Sequence, residues 1–328
     1  MKRKILKTLQ FLAFLATGLL LFWLIYKDQD ISRITGILKH DADYLWIWIS
    51  LCLGLLSHLS RTLRWGLMIR PMGHKPRTIN AFLAVMVGYL MNMVLPRMGE
   101  ISRCGILSRY EKISFTRLVG TVVIERIIDL LMLMLLSLLV FFTQFGQILQ
   151  FLKNNPDIRN KVCGVAFSPW FLVIPPFLGL LIFLYRHKLR QSGIYGRIRQ
   201  TLAKFGEGLQ TIRHMKNKKA FLGHTLFIWL MYYLMLYVVF QSFDFTSHLA
   251  PMAGLTTFVL GSYGMVAPVQ GGIGAWHFMV IQTLFVYGIS KADGAVFAFL
   301  AHTTMTAMYI VIGTLALLIL PFLNRRNS

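Results

Sequence analysis

Apolar runs of about 20 residues recur from one end of this chain to the other, and they leave few folds open. Ile5–Tyr26 is one, and "FLGHTLFIWLMYYLMLYVVFQS", 221–242, is another. Hydrocarbon offers no water to backbone N–H and C=O groups, so only helices and closed barrels cross it. A crossing strand needs about 9–11 residues and a crossing helix about 20, so run length selects helices. Composition agrees: 56% of the 328 residues are hydrophobic and 14% charged, where soluble domains hold about 45–50% and about 25%. The chain reads as an all-α integral membrane protein, a helical bundle forming one transmembrane domain over 1–328. Candidate spans lie at about 5–26, 44–68, 79–96, 118–143, 168–186, 220–242, 252–268, 273–289 and 294–320.

Formal net charge is +22, from 34 Lys and Arg against 12 Asp and Glu. No soluble surface offers a stacking platform, so the excess does not indicate nucleic acid. Juxtamembrane bases orient helices and meet anionic lipid. The apolar run behind "MKRK" is too long for a signal segment and no A-x-A-like site follows it, so 5–26 reads as a retained helix. Cys52, Cys104 and Cys163 are odd in number and widely spaced, and form neither a disulfide framework nor a metal pattern.

Loop charge then sets the topology. "KDQDISRITGILKHDAD" balances its acids and bases and reads as an external loop. "RTLRWGLMIRPMGHKPR" and "RYEKISFTR" are strongly basic and read as cytoplasmic, yet they flank 79–96 on both sides. A full span there would put one of them outside. Parity is restored if 79–112 enters from the cytoplasm and returns, with Pro96 and Gly99 near the tip of a re-entrant hairpin. The segment from 186 to 219 is a long basic cytoplasmic loop suited to a surface helix on anionic lipid. "SFDFTSHLAP" reads as external and "NRRNS" as cytoplasmic, so an odd number of crossings separates them. Either three spans do this, or one span and a second hairpin entering from outside. "VGYLMNMVLPRMGE" and "LGSYGMVAPVQGGIGA" share Gly or Ser–Tyr, a Met, an apolar run, Pro and Gly, which favours the hairpin. Two hairpins from opposite faces form an inverted repeat, with halves about 44–143 and 220–320. The expectation is six full spans, two re-entrant hairpins and both termini cytoplasmic.

Three places carry chemistry. Asn92, Arg97, Glu100 and Arg103 surround the breaker Pro96; they fit either a helix ending inside the membrane or an ordinary helix end in interfacial water. Glu125, Arg126 and Asp129 lie roughly 10–16 Å into the span 118–143. Charges at that depth face a bundle interior or a wet cavity. Glu125 and Asp129 repel at i,i+4 and demand a basic partner, whether as a ligand site or a buried staple. Arg61 and Arg64 share a face near the end of 44–68, as cavity residues or as interfacial anchors beside Trp65. In "APVQGGIGAWHF", Gly271, Gly272 and Gly274 allow a tight turn into a helix whose free N–H groups would favour an anion, with His277 beside it. Five arginines (61, 64, 97, 103, 126) against Glu100, Glu125 and Asp129 would give a converged cavity an excess of positive charge. That suits a phosphate-bearing head.

The patterns N-x-x-L-P-x-R-x-G-E-x-x-R at Asn92–Arg103, E-R-x-x-D at Glu125–Asp129 and P-x-x-G-G-x-G at Pro268–Gly274 resemble, in order and spacing, the flippase-like family: the membrane domain of lysylphosphatidylglycerol synthase/flippase proteins. The resemblance covers nearly the whole chain. It implies movement of lipid between leaflets and residence in a bacterial cytoplasmic membrane. His277 stands where the family usually has a Glu after the Gly-rich turn. No stretch reads as the soluble aminoacyl-transfer domain of the synthase members, so that activity is not carried over. The expected function is a flippase for an anionic-headgroup lipid, with no catalytic residue, metal or cofactor. The partner is membrane lipid, with a second copy or a separate lipid-synthesis protein left open. The alternatives are a secondary transporter of a small polar solute, or a non-transporting component of a lipid or glycan assembly pathway. An enzyme on lipid-linked substrates would need a nucleophile–base or metal constellation, and the nine histidines form no H-E-x-x-H motif.

Overall fold

The structure, a computed structural model, describes residues 2–27, 29–157, 159–160, 164, 177 and 217–325. It divides into two compact units, Met1–Val140 with Met215–Ser328, and Phe141–His214. In the second unit the described part is chiefly a helix end, where Phe141 packs edge-on against Phe142. The packing and the site described below belong to the first unit.

Every regular element among the described residues is helical, and those of ten residues or more are α1 (Lys2–Tyr26), α2 (Ile31–His40), α3 (Tyr44–Ile69), α4 (Thr78–Val94), α5 (Met98–Glu111), α6 (Phe115–Asn154), α7 (Lys218–Tyr237), α8 (Pro251–Val266), α9 (Ala275–Val286) and α10 (Lys291–Leu323). Three stretches are long and apolar enough to cross a membrane: Phe115–Gln147, Lys218–Ser242 and Lys291–Leu323. A fourth crossing arises if α2 and the stretch Tyr44–Met72, bent by 87°, count as one broken span. Of the expected full spans, 118–143, 220–242 and 294–320 are these three helices, and 44–68 belongs to the bent pair. The span 5–26 falls in α1, and 168–186, apart from residue 177, lies outside the described residues.

Helix starts follow their caps. The Asp30 carboxylate accepts from the Ser32 and Arg33 amides and opens α2. The Asp43 carboxylate accepts from Leu45 N–H and opens α3. The Ser290 hydroxyl accepts from Asp293 N–H and opens α10. Side-chain oxygens at this position satisfy otherwise orphaned amides. The stretch read as a plain external loop therefore contains α2.

The two stretches expected to be re-entrant each fold as a pair of helices, while the one bent pair with the length and apolarity of a broken span or re-entrant loop is α2 with Tyr44–Met72. α4 and α5 run antiparallel, tied at the base by Asn80 Nδ2 donating to Glu111 Oε1 at 2.6 Å. Their turn is Leu95–Pro96–Arg97, with Arg97 in the left-handed region at φ 62°. α8 and α9 pair likewise, with the Tyr287 hydroxyl donating to Thr256 Oγ1 at 2.9 Å near their base. α10, 33 residues and about 50 Å long, joins the two bases. It begins four residues after Tyr287, and at its far end Asn80 Nδ2 donates to Asn324 Oδ1 at 3.0 Å. The bases of the two helix pairs thus lie at opposite ends of one helix, and their tips meet. A β-carbon added to Gly271 would stand 2.6 Å from the Met93 sulfur.

Apolar packing holds each hairpin in place. Phe240, Phe297, Val296, Leu284 and Val280 form a buried cluster around the second. Trp65, Ala84, Val85, Leu107 and Leu118 do so around the first.

Candidate functional site

α5 and α6 form the frame of the charged site. Both extend from the basic turn around Lys112, and their facing residues bond across. Arg103 Nη2 lies 3.0 Å from Glu125 Oε2, and Arg126 Nη2 lies 2.9 Å from Glu100 Oε1. α3 closes the third side. Its Arg61 meets Glu125 at 3.2 Å and Asp129 at 3.0 Å. Its Arg64, one turn on, meets Asp129 at 2.9 Å and Glu125 at 3.4 Å. Arg126 also approaches Asp129 at 3.9 Å. Four arginines and three carboxylates therefore share one network.

Burial grades it from inside to outside. Glu125 and Arg64 have no exposed side-chain surface, Asp129 is 12% exposed, and Arg126 is 46% exposed. Buried ions tolerate this only with several partners each. Arg64 further donates to Thr225 of α7 at 3.2 Å, and the Arg103 guanidinium stacks over Trp65 at 4.9 Å. Trp65 is itself fully buried and donates to Thr121 at 2.8 Å. The reading of Arg61, Arg64 and Trp65 as interfacial anchors is thereby corrected: this face of α3 is inside the bundle.

Asn92 is brought to the same hairpin as a brace. Its side-chain oxygen accepts from Gly99 N–H at 2.7 Å, satisfying an amide in the first turn of α5. Arg97 is exposed and has no ion pair among the described residues.

The glycine-rich turn sits apart from the network. Gly271, Gly272 and Gly274 are buried, with φ of 57°, 76° and 80°, a region open to residues without a β-carbon. The N–H groups at its helix start have internal acceptors. Ile273 N–H donates to the Gln270 carbonyl at 3.0 Å, and Gly274 N–H donates to His277 Nδ1 at 3.3 Å. α1 covers the place: a β-carbon on Gly274 would stand 2.9 Å from the Gly18 carbonyl. His277 is buried against His302, ring centres 4.5 Å apart. His302 Nε2 donates to the Gly271 carbonyl at 2.9 Å and so pins the tip of the second hairpin.

Sequence reasoning passed over a neighbouring polar group. His58, one turn before Arg61, is fully buried, and neither ring nitrogen has a hydrogen-bond partner among the described residues. It lies against Tyr89 at 4.3 Å and Tyr309 at 5.5 Å. Tyr89 and Tyr232 share a hydrogen bond of 2.9 Å, and Arg61 lies over the Tyr232 ring at 5.7 Å. The one available signal was His58 at helical spacing from Arg61 and Arg64. The tyrosines come from three other helices and leave no local trace.

The profile of the lysylphosphatidylglycerol synthase TM region matches residues 10–313. A UPF0104 membrane protein of Methanothermobacter thermautotrophicus is 22% identical over 276 residues, 77% of this chain and 79% of that protein. A UPF0104 membrane protein of Methanocaldococcus jannaschii is 30% identical over 103 residues, 30% of this chain and 29% of its own length. No solved structure matches.

Proposed function

The chain belongs to the family of the lysylphosphatidylglycerol synthase TM region, and from that premise we propose that it moves a lipid with an anionic, phosphate-bearing head between membrane leaflets. One observation carries the reading. Four arginines, three of them buried, share one network with three carboxylates, leaving an excess cation where charge is expensive. Ions at membrane depth line substrate pathways when they are not lost to hydrocarbon. Arginine's planar fork matches phosphate oxygens two at a time. Arg61, Arg64, Arg103 and Arg126 are the proposed headgroup contacts, with Arg97 adding a fifth cation at the hairpin tip. The glycines 271, 272 and 274 and His277 shape the opposing tip in this reading, and no step of it calls for a catalytic residue. Residence in a cytoplasmic membrane with both termini on the inner side goes with it. The two relatives are archaeal, where the sequence reading expected a bacterial membrane.

The test is translocation in proteoliposomes, read by quenching of fluorescent phosphatidylglycerol, phosphatidylcholine and a polyprenyl phosphate. The anionic lipids should move faster than in protein-free vesicles. Arg97→Gln should slow them about tenfold, the equivalent of ~1.4 kcal/mol. Its unfolding midpoint should not change, since the lost charge has no ion-paired acid to strand. Absence of acceleration for every anionic lipid would end the proposal.

A further inference from the structure

Arg126 is the most open of the ion-paired residues in the network, at 46%. It stands on the outward face of α6 with Val123, Leu130 and Met134, which are 48%, 51% and 52% exposed. These positions, at i−3, i+4 and i+8, form one stripe. Arg126 lies eleven residues after the start of α6 and Glu100 eleven before the end of α5. Both are therefore about 16 Å above the turn that joins the two helices. That turn is basic, with Arg109, Lys112 and Arg117, and marks the interface. A half-open guanidinium therefore stands well inside the stretch Phe115–Gln147 that is long and apolar enough to cross a membrane, on an otherwise apolar face. A cation there requires an anion or water beside it.

Its internal counter-ion is loosely held. Glu100 reaches Arg126 through one oxygen at 2.9 Å, and the other oxygen is buried without a hydrogen-bond partner among the described residues. Asp129 is no substitute: it stands 3.9 Å from Arg126 and is already bonded by Arg61 and Arg64. Three residues before Glu100 stands Arg97, exposed and without an ion pair among the described residues. A carboxylate released from Arg126 has a second cation on its own helix turn.

Resting on the lipid-transport reading, we propose that Arg126 is a lateral docking site for the phosphodiester of an anionic phospholipid arriving from the bilayer, with Glu100 as the counter-ion that the phosphate displaces. The phosphate's two free oxygens fit the guanidinium fork. The acyl chains lie along Val123, Leu130 and Met134.

The experiment places a photo-crosslinking benzophenone amino acid at Leu130 in the full chain, held in phosphatidylcholine nanodiscs doped with phosphatidylglycerol. Arg126→Gln should lower phosphatidylglycerol capture about tenfold, the loss of a charge-assisted contact. Glu100→Gln should raise capture, because it frees Arg126. If Arg126→Gln does not fold, Arg126→Lys keeps the charge without the fork and should give an intermediate loss. Soluble glycerol phosphate at millimolar excess should not compete, which separates a lipid phosphate from a free one; full competition would overturn docking from the bilayer. A mere structural staple would make the Gln variants at 126 and 100 shift capture in the same direction, or not at all, and either result overturns the proposal. The translocation assay on the same variants separates the two claims. Transport with capture unmoved sinks the docking site alone, and capture without transport in the unmodified protein sinks the transport reading alone.

Discussion

Glu125→Ala is expected to cost ~3–5 kcal/mol of stability and to remove most folded protein from the membrane. Glu125 has no exposed surface and lies within 3.4 Å of Arg61, Arg64 and Arg103. Its loss leaves Arg61 and Arg64 to share Asp129, and strips Arg103 of the carboxylate it pairs with. Their mutual repulsion acts where water is excluded, so little screens it. Glu125→Gln keeps the volume and one acceptor and should fall between the two. The measurement is the unfolding midpoint and the monodisperse yield in detergent. A wild-type midpoint in the alanine variant would show that the network is not what holds α3, α5 and α6 together.

The second large effect is steric. In the first hairpin α4 and α5 touch backbone to backbone at Gly88 and Gly99. A β-carbon on Gly99 would run into the Gly88 carbonyl and stand 2.7 Å from the Asn92 amide carbon. Neither obstacle is the free end of a flexible chain, so α4 and α5 must part. Overpacking of this kind costs ~1–3 kcal/mol or more, and parting would draw Arg103 away from Glu125. Gly99→Ala should therefore lower both the midpoint and transport. Gly105→Ala, on the same helix, is the control. Nothing lies within 4 Å of its added carbon, and a helical Gly→Ala change there should be neutral or stabilising by ~0.4–1 kcal/mol. Equal effects at 99 and 105 would refute the close-contact account.

The first hairpin was legible because two independent constraints met on it. The basic stretches around 79–96 forbade a full span, and Pro96 with Gly99 supplied a place to turn. The Asn92–Gly99 bond supplies the local reason why α5 can start where it does. The second hairpin was legible through its three glycines, each of which has positive φ. The pairing of Glu125 and Asp129 with distant arginines followed from charge alone, since two like charges at i,i+4 in hydrocarbon need cations from somewhere. Other features leave weaker traces. α2 hides in a stretch whose acids and bases cancel, and only Asp30 signals its start. The anion site expected at the glycine turn rested on free amides, but His277 and Gln270 accept from two of them. A side chain that folds back on its own helix start cannot be seen in residue spacing read for an external ligand. His58 and its tyrosines meet across residue separations of 31 to 251 (58 to 89 and to 309), beyond any local pattern.

The junction of the two hairpin tips rests on a thioether: Met93 of the first lies on Gly271 of the second, its sulfur 2.6 Å from where a β-carbon would be, and within the second tip the Met265 sulfur stands 2.5 Å from the same position on Gly272. A methionine has three rotatable bonds and a polarisable sulfur, and fills an irregular gap in many ways. Such a bearing stays in contact while one surface slides over the other, because the side chains re-coil instead of opening a void. Two tips joined through valine or isoleucine would lock into one register. Met93→Ile should accordingly steepen the temperature dependence of translocation while leaving the unfolding midpoint nearly unchanged, and an unaltered dependence would mean the joint does not move during a transport cycle.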